Sequence, residues 1–548
     1  MISLGARKYS LYLAIIASIS RTNAQTEHVP VTGMMTGLNR TTGEPPSRVD
    51  INVLENEGGP MWDLFIRALD ALQNKAEDDE RSHFAVAGIH GMPYTQYNGV
   101  GPVPGGSWGG YCPHVSPQLI PWHRAYLVLY EQVLGAEMQR LALEYTDANA
   151  SAYQEASQEF RLPYWDWSSD PSLPPSSTQE SIKVNGPNGE LVLHNPLYNY
   201  RWQTYPLNTT QFPGQGSFGP ATTRAGENGF DPDLVNGNLL DAKDMIKDSV
   251  YRTLSATTVY DQMASMAVPG SSFESPHNII HDSVGGSFSS LDLTAFDPLF
   301  MLHHCNLDRL AAIWTTIHEG NSVQTQPFTS QGLYSTAKGE LITADSPLKP
   351  FYQSDGRKFH TGRTVAETEL FGYTYPDISG SDGDRRGAAI AQINRLYGGL
   401  LFSEKAIIAS TSKRQWFVSV QVDRADLPLP CTINVYLGDG LAGRSAFLSM
   451  PATGYAYDEL SLIRAVRNLG IDDSDAEAVE NRLMRDLYVR VTKVSSEEQG
   501  DGATLDPDVI PSLTIKVMGE DVTFPRSESE LPLYSNRTTL ATILGTPR

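Results

Sequence analysis

Two histidines four residues apart, His277 and His281, constrain this chain most, because a third, His304, follows within the apolar segment Asp297–Asp308. Residues at i and i+4 project from one face of a helix with Cβ atoms roughly 6 Å apart, which suits joint binding of one metal ion. Such pairs also occur on solvated helix faces. A histidine in an otherwise apolar run, however, needs a polar partner, and a metal ion is one. The pattern predicts helices that bring three imidazoles together.

A second ordered set of histidines, His90, His114 and His123, precedes this group in the chain. Imidazole suits copper, and neutral ligands without carboxylates allow an ion to cycle between Cu(I) and Cu(II). A three-histidine zinc site that catalyses hydrolysis is the alternative. Two such sets in one helical domain favour a pair of copper ions.

The remaining histidines are interpreted from their surroundings. Of the adjacent His303 and His304, His304 is assigned as the ligand and His303 as its neighbour. Asp308 lies one turn beyond His304, where it can support this part of the helix from outside the ligand shell. An ordinary structural role is kept for His28, His83, His194, His318 and His360.

The fold prediction rests on apolar residues that recur at helical spacing between about Pro60 and Ile317. Three predicted helix starts carry a proline, and each places a histidine in or just after the first turn. These starts are Pro121, Ser275-Pro276 and Asp297-Pro298. The predicted fold class is mainly α, a four-helix-bundle dicopper catalytic domain at residues 25–375 followed by a smaller β-rich, β-sandwich-like C-terminal domain at residues 400–548.

The join between the two predicted domains is marked by a change of composition. After Tyr375 a polar stretch leads to the dibasic pair Arg385-Arg386, and we interpret residues 376–399 as an exposed linker with a protease site. Beyond it, four segments rich in Val, Ile, Tyr and Phe alternate partially, which predicts strands. They are Gln415–Asp423, Thr432–Leu437, Leu487–Val494 and Leu513–Val517.

Net charge and the N-terminus restrict partners and location. The formal charge of −22 argues against nucleic acid or an anionic membrane surface as a partner. Residues 1–24 combine basic residues, an apolar run too short to span a membrane and small residues at a possible cleavage site, which predicts a signal peptide and secretion. Glycosylation sequons agree with this route; they begin at Asn39, Asn149, Asn208 and Asn536.

Five motifs in order resemble the two copper-binding regions of the tyrosinase and catechol oxidase family of type-3 copper proteins. They are Gly88–Pro93, Pro121–Leu127, Leu162–Trp167, His277–His281 and Asp297–Asp308. The resemblance spans about residues 50–400. It implies two copper ions, CuA held by His90, His114 and His123, and CuB held by His277, His281 and His304. It also implies an enzyme that uses O2 to hydroxylate monophenols and to oxidise o-diphenols to o-quinones.

The resemblance implies roles for further residues. In similar fungal enzymes a cysteine placed like Cys112 is joined to the histidine by a thioether, so a Cys112–His114 crosslink is expected. Glu274 and Asn278 match a pair that holds a water proposed to take the proton of the phenol. Ionising a phenol at neutral pH costs roughly 4 kcal/mol, so a nearby base is needed. The alternative is that Glu274 only favours a helix N-terminus and Asn278 is solvated. Leu291 is expected at the substrate entrance.

The C-terminal half resembles that of fungal tyrosinase proenzymes, notably at Trp416–Val422 and Ile433–Gly438. There, an aromatic or apolar side chain covers the copper pocket, which implies a latent zymogen that an activating protease cleaves. Phe447, Tyr455 and Tyr457 are the candidates for this side chain. Unlike some members, the domain has no Cys-x-x-Cys pair, so copper loading by this domain is not implied.

The expected substrate is a small phenol or o-aminophenol, whose quinone product would serve melanin or pigment biosynthesis. A catechol oxidase or o-aminophenol oxidase without monophenol hydroxylation is the first alternative, and access to the coppers would decide it. An oxygen carrier with the same ligands is a more remote alternative. The single catalytic unit, without internal repeats, disfavours a carrier.

Overall fold

The structure is a computed structural model that describes residues 28–106, 109–215, 218–227, 229–380, 384–398, 412–470, 475–494 and 503–543. The predicted signal peptide lies outside the described residues. Within them, no helix combines the length and the apolar character needed to cross a bilayer.

Helices form most of the regular structure before residue 400. They are α1 (Ile51–Glu57), α2 (Gly59–Gln73), α3 (His83–Ala87), α4 (Leu119–Ala142), α5 (Ala150–Glu159), α6 (Pro232–Ala256), α7 (Tyr260–Ala264), α8 (Glu274–Val284), α9 (Leu299–Ile317) and α10 (Arg385–Tyr397). Helix α4 packs against α2 and α9, and α6 packs against α8. Because α4 and α9 are buried on nearly every side, their sequences are apolar almost throughout. The predicted helical catalytic domain is confirmed.

The same domain also contains short antiparallel strand pairs. They are β1 (Ser181–Gly186) with β2 (Gly189–His194), β3 (Phe328–Thr329) with β4 (Leu341–Ile342), and β5 (Pro347–Tyr352) with β6 (Phe359–Thr361). The β1–β2 hairpin was not predicted, because most of its side chains are exposed and show no clear apolar alternation.

The C-terminal domain is a sandwich of two four-stranded antiparallel sheets, as predicted. Its strands are β7 (Ser412–Asp423), β8 (Cys431–Leu437), β9 (Gly440–Phe447), β10 (Tyr455–Ser461), β11 (Leu487–Lys493), β12 (Thr504–Leu505), β13 (Thr514–Thr523) and β14 (Leu533–Ile543), with helices α11 (Ile463–Asn468) and α12 (Ala476–Asp486). The sheet orders are β10-β7-β13-β14 and β12-β11-β8-β9. Valines and isoleucines of both sheets share one apolar core, which joins the two layers.

The segment between the domains differs from the prediction. The prediction of an exposed linker over residues 376–399 is wrong for residues 385–397. These residues form α10, which packs against α6 and α9. The side chain of Asp384 caps this helix by accepting a hydrogen bond from the amide of Gly387 at 2.7 Å. Ala389, Ile390 and Ile393 recur at helical spacing and are buried, which stabilises the helix on the catalytic domain. Residues 399–411 lie outside the described residues.

Candidate metal centre

The first histidine group lies where α3, a loop and α4 meet. His90 follows α3, His114 lies in the loop before α4, and His123 lies in the second turn of α4. The Nδ1 atoms of His90 and His123 face the carbonyl oxygens of Leu291 at 3.1 Å and Leu119 at 2.8 Å. A ring nitrogen that donates to a carbonyl leaves the lone pair on the other nitrogen, here Nε2, for a metal.

The second group is formed by α8 and α9, as the histidine spacing predicted. The Nε2 atom of His277 lies 3.2 Å from Nε2 of His281 and 3.2 Å from Nε2 of His304. The Nδ1 atoms of His277 and His281 are held by Asn278 Oδ1 at 2.9 Å and by the carbonyl of Phe288 at 2.8 Å. Three ring nitrogens therefore converge, and the Nδ1 contacts leave lone pairs on Nε2 of His277 and His281.

This geometry fits a bound metal ion. Nitrogens that bind one ion at about 2.0–2.1 Å in tetrahedral geometry lie about 3.3 Å apart, close to the observed spacing. Burial lowers the pKa of His281 to about 4 and the pKa of His123 to about 3, so these imidazoles are neutral. Neutral imidazoles in a buried site are ligands that suit copper.

The two groups face each other closely. The rings of His123 and His304, one from each group, stack with centroids 4.2 Å apart and planes within 13°. The ring centroids of His114 and His277 are 6.1 Å apart. The side chain of Phe300 packs against rings of both groups. Its ring centroid lies 4.9 Å from that of His90 and 4.2 Å from that of His304. The same buried phenylalanine therefore borders both candidate metal positions.

Cys112 lies against the ring of His114. Its Sγ atom is 3.0 Å from Nδ1 and 3.9 Å from Nε2 of that ring. The sulfur is therefore closer to the Nδ1 side of the ring than to Nε2. Burial raises the pKa of the Cys112 thiol, so the sulfur is protonated in the absence of a metal.

Glu274 is the first residue of α8 and is fully buried. Its carboxylate accepts hydrogen bonds from the amides of Val115 at 2.6 Å and Met266 at 2.8 Å, and from the hydroxyl of Ser265 at 2.9 Å. Burial raises the pKa of Glu274, and these hydrogen bonds partly oppose the rise. Val115 follows His114 and has a φ of 47°, which a β-branched residue rarely adopts. Glu274 thus holds a strained turn next to a candidate ligand.

Asn278 is buried, so the alternative of a solvated side chain is wrong. Its Oδ1 faces His277, and its Nδ2 donates to the carbonyl of Ala446 in the C-terminal domain at 3.1 Å. Glu274 contacts the residue after His114, whereas Asn278 contacts His277, and among the described residues no hydrogen bond joins Glu274 to Asn278. Leu291, expected at the entrance, is buried and supplies the carbonyl that holds His90.

The C-terminal domain covers α8 with strand β9 and the chain that follows it. Phe447, at the end of β9, is buried and belongs to the same apolar cluster as Val115 and Met266 of the catalytic domain. Tyr457 is partly buried, and its amide donates to the carbonyl of Met266 at 2.8 Å. Tyr455 is 49% exposed. Of the three candidate covering side chains, Phe447 is therefore the most enclosed.

The site also contains groups that the sequence did not reveal. No pattern pointed to the carbonyls of Leu119, Leu291 and Phe288, because every residue type supplies a carbonyl. His303 was interpreted as a neighbour, yet it forms one cluster with His277, His281 and His304. Two adjacent histidines in an apolar helix were the available signal for it.

Comparison with known proteins decides the family. A sequence profile described as the common central domain of tyrosinase matches residues 80–317, which contain both histidine groups. A tyrosinase of Podospora anserina is 32% identical over 418 residues, which cover 70% of this chain and 71% of that protein. The chain belongs to the tyrosinase family. This membership confirms the predicted enzyme class, a tyrosinase or polyphenol oxidase, and implies a dicopper site for which the two histidine groups are the candidates.

Further members of the tyrosinase family agree. A Neurospora crassa tyrosinase is 32% identical over 400 residues, and this chain covers 57% of its length. A solved structure of recombinant mushroom tyrosinase superposes with a TM-score of 0.80 at 24% identity and covers 93% of this chain and 98% of its own. An oxygen-bound variant of Aspergillus oryzae pro-tyrosinase has a TM-score of 0.70 at 22% identity and covers 94% and 97%. These likenesses confirm the fold, including the C-terminal domain.

Proposed function

We propose that this chain is a latent tyrosinase that hydroxylates monophenols and oxidises o-diphenols to o-quinones. In the proposal His90, His114 and His123 hold CuA, and His277, His281 and His304 hold CuB. The 3.2 Å approach of Nε2 of His277 to Nε2 of His281 carries it. Both Nδ1 atoms face acceptor oxygens, which leaves both Nε2 atoms as acceptors, and a buried contact between two acceptors is unfavourable without a metal between them. When bound, the copper pair supplies the reaction with O2.

The chain itself orients the ligands and keeps water out. Backbone carbonyls fix the rings of His90, His123 and His281, and Asn278 fixes the ring of His277. Such partners outside the ligand shell commonly raise metal affinity by about 10–100-fold. The rings therefore need little reorganisation when copper binds.

Proton removal from a monophenol is assigned to Glu274 acting through a water. A carboxylate offers about four acceptor sites, of which three are filled here, so one remains for a water. Burial raises the pKa of Glu274 and so makes it a better base than an exposed glutamate. Release of the C-terminal domain would free Nδ2 of Asn278 from the carbonyl of Ala446, which allows it to hold the same water.

A catechol oxidase or o-aminophenol oxidase is the second candidate function. The observation that favours it is the engagement of Glu274 with two backbone amides, which is the pattern of a structural carboxylate. Under this reading the phenol proton has no acceptor, and only substrates with two ortho heteroatoms react.

Consumption of O2 by the copper-loaded, protease-treated chain tests the choice, with a neutral monophenol and its o-diphenol as substrates. Turnover of both supports tyrosinase, turnover of the diphenol alone supports the second candidate, and turnover of neither refutes the proposed function. We expect Glu274→Gln to lose monophenol turnover more than diphenol turnover. Ser265→Ala, which leaves both amide contacts of Glu274 in place, should keep the ratio of the two rates.

The thioether between Cys112 and His114 is part of the proposal, supported by the 3.0 Å approach of Sγ to the ring. Its formation removes one hydrogen from sulfur and one from the ring carbon, an oxidation that copper and O2 supply. A peptide that contains both residues should weigh about 2 Da less than the mass calculated from its sequence, because two hydrogen atoms are lost. Recovery of Cys112 as an alkylatable thiol from the copper-loaded protein would refute the crosslink.

Latency is proposed to end with cleavage between the domains by a protease. The helix α10 packs on the catalytic domain, so the bonds within it are poor substrates, and cleavage is expected in the segments that flank it. The N-terminal sequencing of fragments locates the cut. Secretion and glycosylation remain proposals, supported by the exposure of all four sequon asparagines, Asn39, Asn149, Asn208 and Asn536.

A further inference from the structure

His303 is a buried histidine beside the second histidine group. It precedes the proposed ligand His304 on α9 and is 0% exposed. Among the described residues, neither of its ring nitrogens has a hydrogen-bond partner. Its ring centroid lies 4.8 Å from that of His277, 4.7 Å from His281 and 4.9 Å from His304. One ligand nitrogen from each of these four histidines lies within 4.8 Å of the others.

Within the part of the chain that the structure describes, the surroundings of His303 supply no hydrogen-bond partner for its ring. Its other aromatic neighbours are Trp167 and Phe288, whose ring centroids lie 5.5 Å and 5.7 Å from that of His303. The indole nitrogen of Trp167 donates to the backbone carbonyl of His303 and not to its ring. A buried imidazole that loses its hydrogen bonds to water is unfavourable unless another partner replaces them. A metal ion at the second histidine group is the partner within reach.

The four histidines of this group divide into two fixed rings and two that are not fixed. Asn278 holds Nδ1 of His277, and the carbonyl of Phe288 holds Nδ1 of His281. The Nδ1 atom of His304 has no hydrogen-bond partner among the described residues, as is the case for His303. His304 stacks on His123 of the first group, whereas His303 packs toward Trp167. The two unfixed rings are therefore neighbours, with centroids 4.9 Å apart, but they face different surroundings.

We propose that His303 is a transit ligand for copper on its way into the CuB position. An incoming Cu(I) ion is bound by His277, His281 and His303, and then the bond to His303 breaks as the bond to His304 forms. Copper stays Cu(I), both imidazoles are neutral, and no proton moves. The ion can come from any thiol-bound Cu(I) carrier. The inference rests on the proposed dicopper function. It gives the catalytic domain its own loading route in a chain whose C-terminal domain has a single cysteine, Cys431.

Copper content after removal of His304 tests the proposal. The full-length apo-protein is loaded with Cu(I), desalted and analysed for copper per chain. The wild type should hold two ions. We expect His304→Ala to hold two as well, because His303 retains the second ion, and His303→Phe/His304→Ala to hold one. A single ion in His304→Ala would overturn the proposal. If the wild type itself holds fewer than two, the dicopper function fails instead.

The rate of loading provides a second, independent measurement. Cu(I) is supplied as its bicinchoninate complex, and loss of the visible absorption follows transfer to the protein. His303→Phe keeps a buried aromatic ring without nitrogens, and we expect it to slow uptake of the second ion about tenfold, at the lower end of effects from groups outside the final ligand set. His318→Phe, a partly buried histidine at the end of the same helix, is the matched control and should load like the wild type. Wild-type uptake by His303→Phe would contradict the transit role.

Discussion

A buried link between the two domains is the side chain of Arg252, which extends from α6 into the C-terminal domain. Its guanidinium lies 2.9 Å from Glu459 and 2.5 Å from Glu520, and these three side chains are at most 10% exposed. It also lies 4.3 Å from the ring centroid of Phe417. Burial alone would raise the pKa of Glu459, but Arg252 and Arg537 hold it below its usual value. We predict that Arg252→Met releases the C-terminal domain without cleavage.

The size of the effect follows from the two carboxylates that the substitution leaves buried. Breaking a buried ion pair by removal of one partner costs about 3–5 kcal/mol. Glu459 keeps a second partner, Arg537, so the lower figure applies here. Since each 1.4 kcal/mol changes an equilibrium about tenfold, about 3 kcal/mol raises the open population of the proenzyme roughly 100-fold.

The assay measures the rate of o-diphenol oxidation by the copper-loaded proenzyme. This rate is divided by the rate of the same protein after protease treatment. This ratio should rise roughly 100-fold in Arg252→Met. Arg464→Met is the matched control, because Arg464 pairs with Asp244 and Asp248 in a more exposed position. For Arg464→Met we expect the free energy of docking between the domains to fall by about 1 kcal/mol or less, which raises the activity ratio at most about fivefold. If Arg252→Met folds and remains as latent as the wild type, the argument that buried charges hold the domains together is refuted.

Three further predictions concern the covered site. Phe447→Ala should raise the activity of the uncleaved chain more than tenfold, since loss of a buried phenylalanine costs about 3–5 kcal/mol; the exposed Tyr455→Ala should leave it unchanged. Burial raises the pKa of Asp458 to about 6, so the docked state binds this proton more tightly than the released state does, and docking weakens as the pH rises from about 4 to 6. Asp458→Asn, measured as the ratio of uncleaved to cleaved activity, should lose this part of the pH dependence. Cys112→Ser should release one copper ion to a chelator about tenfold faster, because the ring of His114 loses its attachment; equal release rates would contradict that role.

The sequence predicted the catalytic domain well because its signals are local. Histidine spacing on a helix, proline at a helix start and long apolar periods each depend on residues within a few turns of one another. His277 and His281 therefore share a face in the structure as predicted, and Asp297 caps the start of α9 through the amide of Leu299 at 2.9 Å. Four of the eight described C-terminal strands, β7, β8, β11 and β13, were predicted for the same reason, since their apolar residues alternate partially.

Features that depend on distant residues were not predicted. Arg252 and Glu459 are 207 positions apart in the chain, and Arg252 and Glu520 are 268 apart, so no local pattern marks them as partners. The helix α10 was missed because the polar stretch before it suggested a linker, whereas its buried residues find their partners on α6 and α9. The anchoring of the ligand rings by carbonyls depends on the backbone path and not on residue type.

Helix α8 connects the metal centre to the latency of the enzyme, since its two faces serve different partners. One face carries His277 and His281, and the other carries Ser275, Asn278 and Asp282, which contact the C-terminal domain through Asp458, Ala446 and Arg444. Asn278 belongs to both sets of contacts, because its oxygen holds the ring of His277 and its nitrogen donates to Ala446. Removal of the domain therefore does more than open a path for the substrate. It also frees the amide nitrogen of Asn278 from the carbonyl of Ala446, directly beside the proposed copper ligand His277, where a water or the phenol itself can take that place.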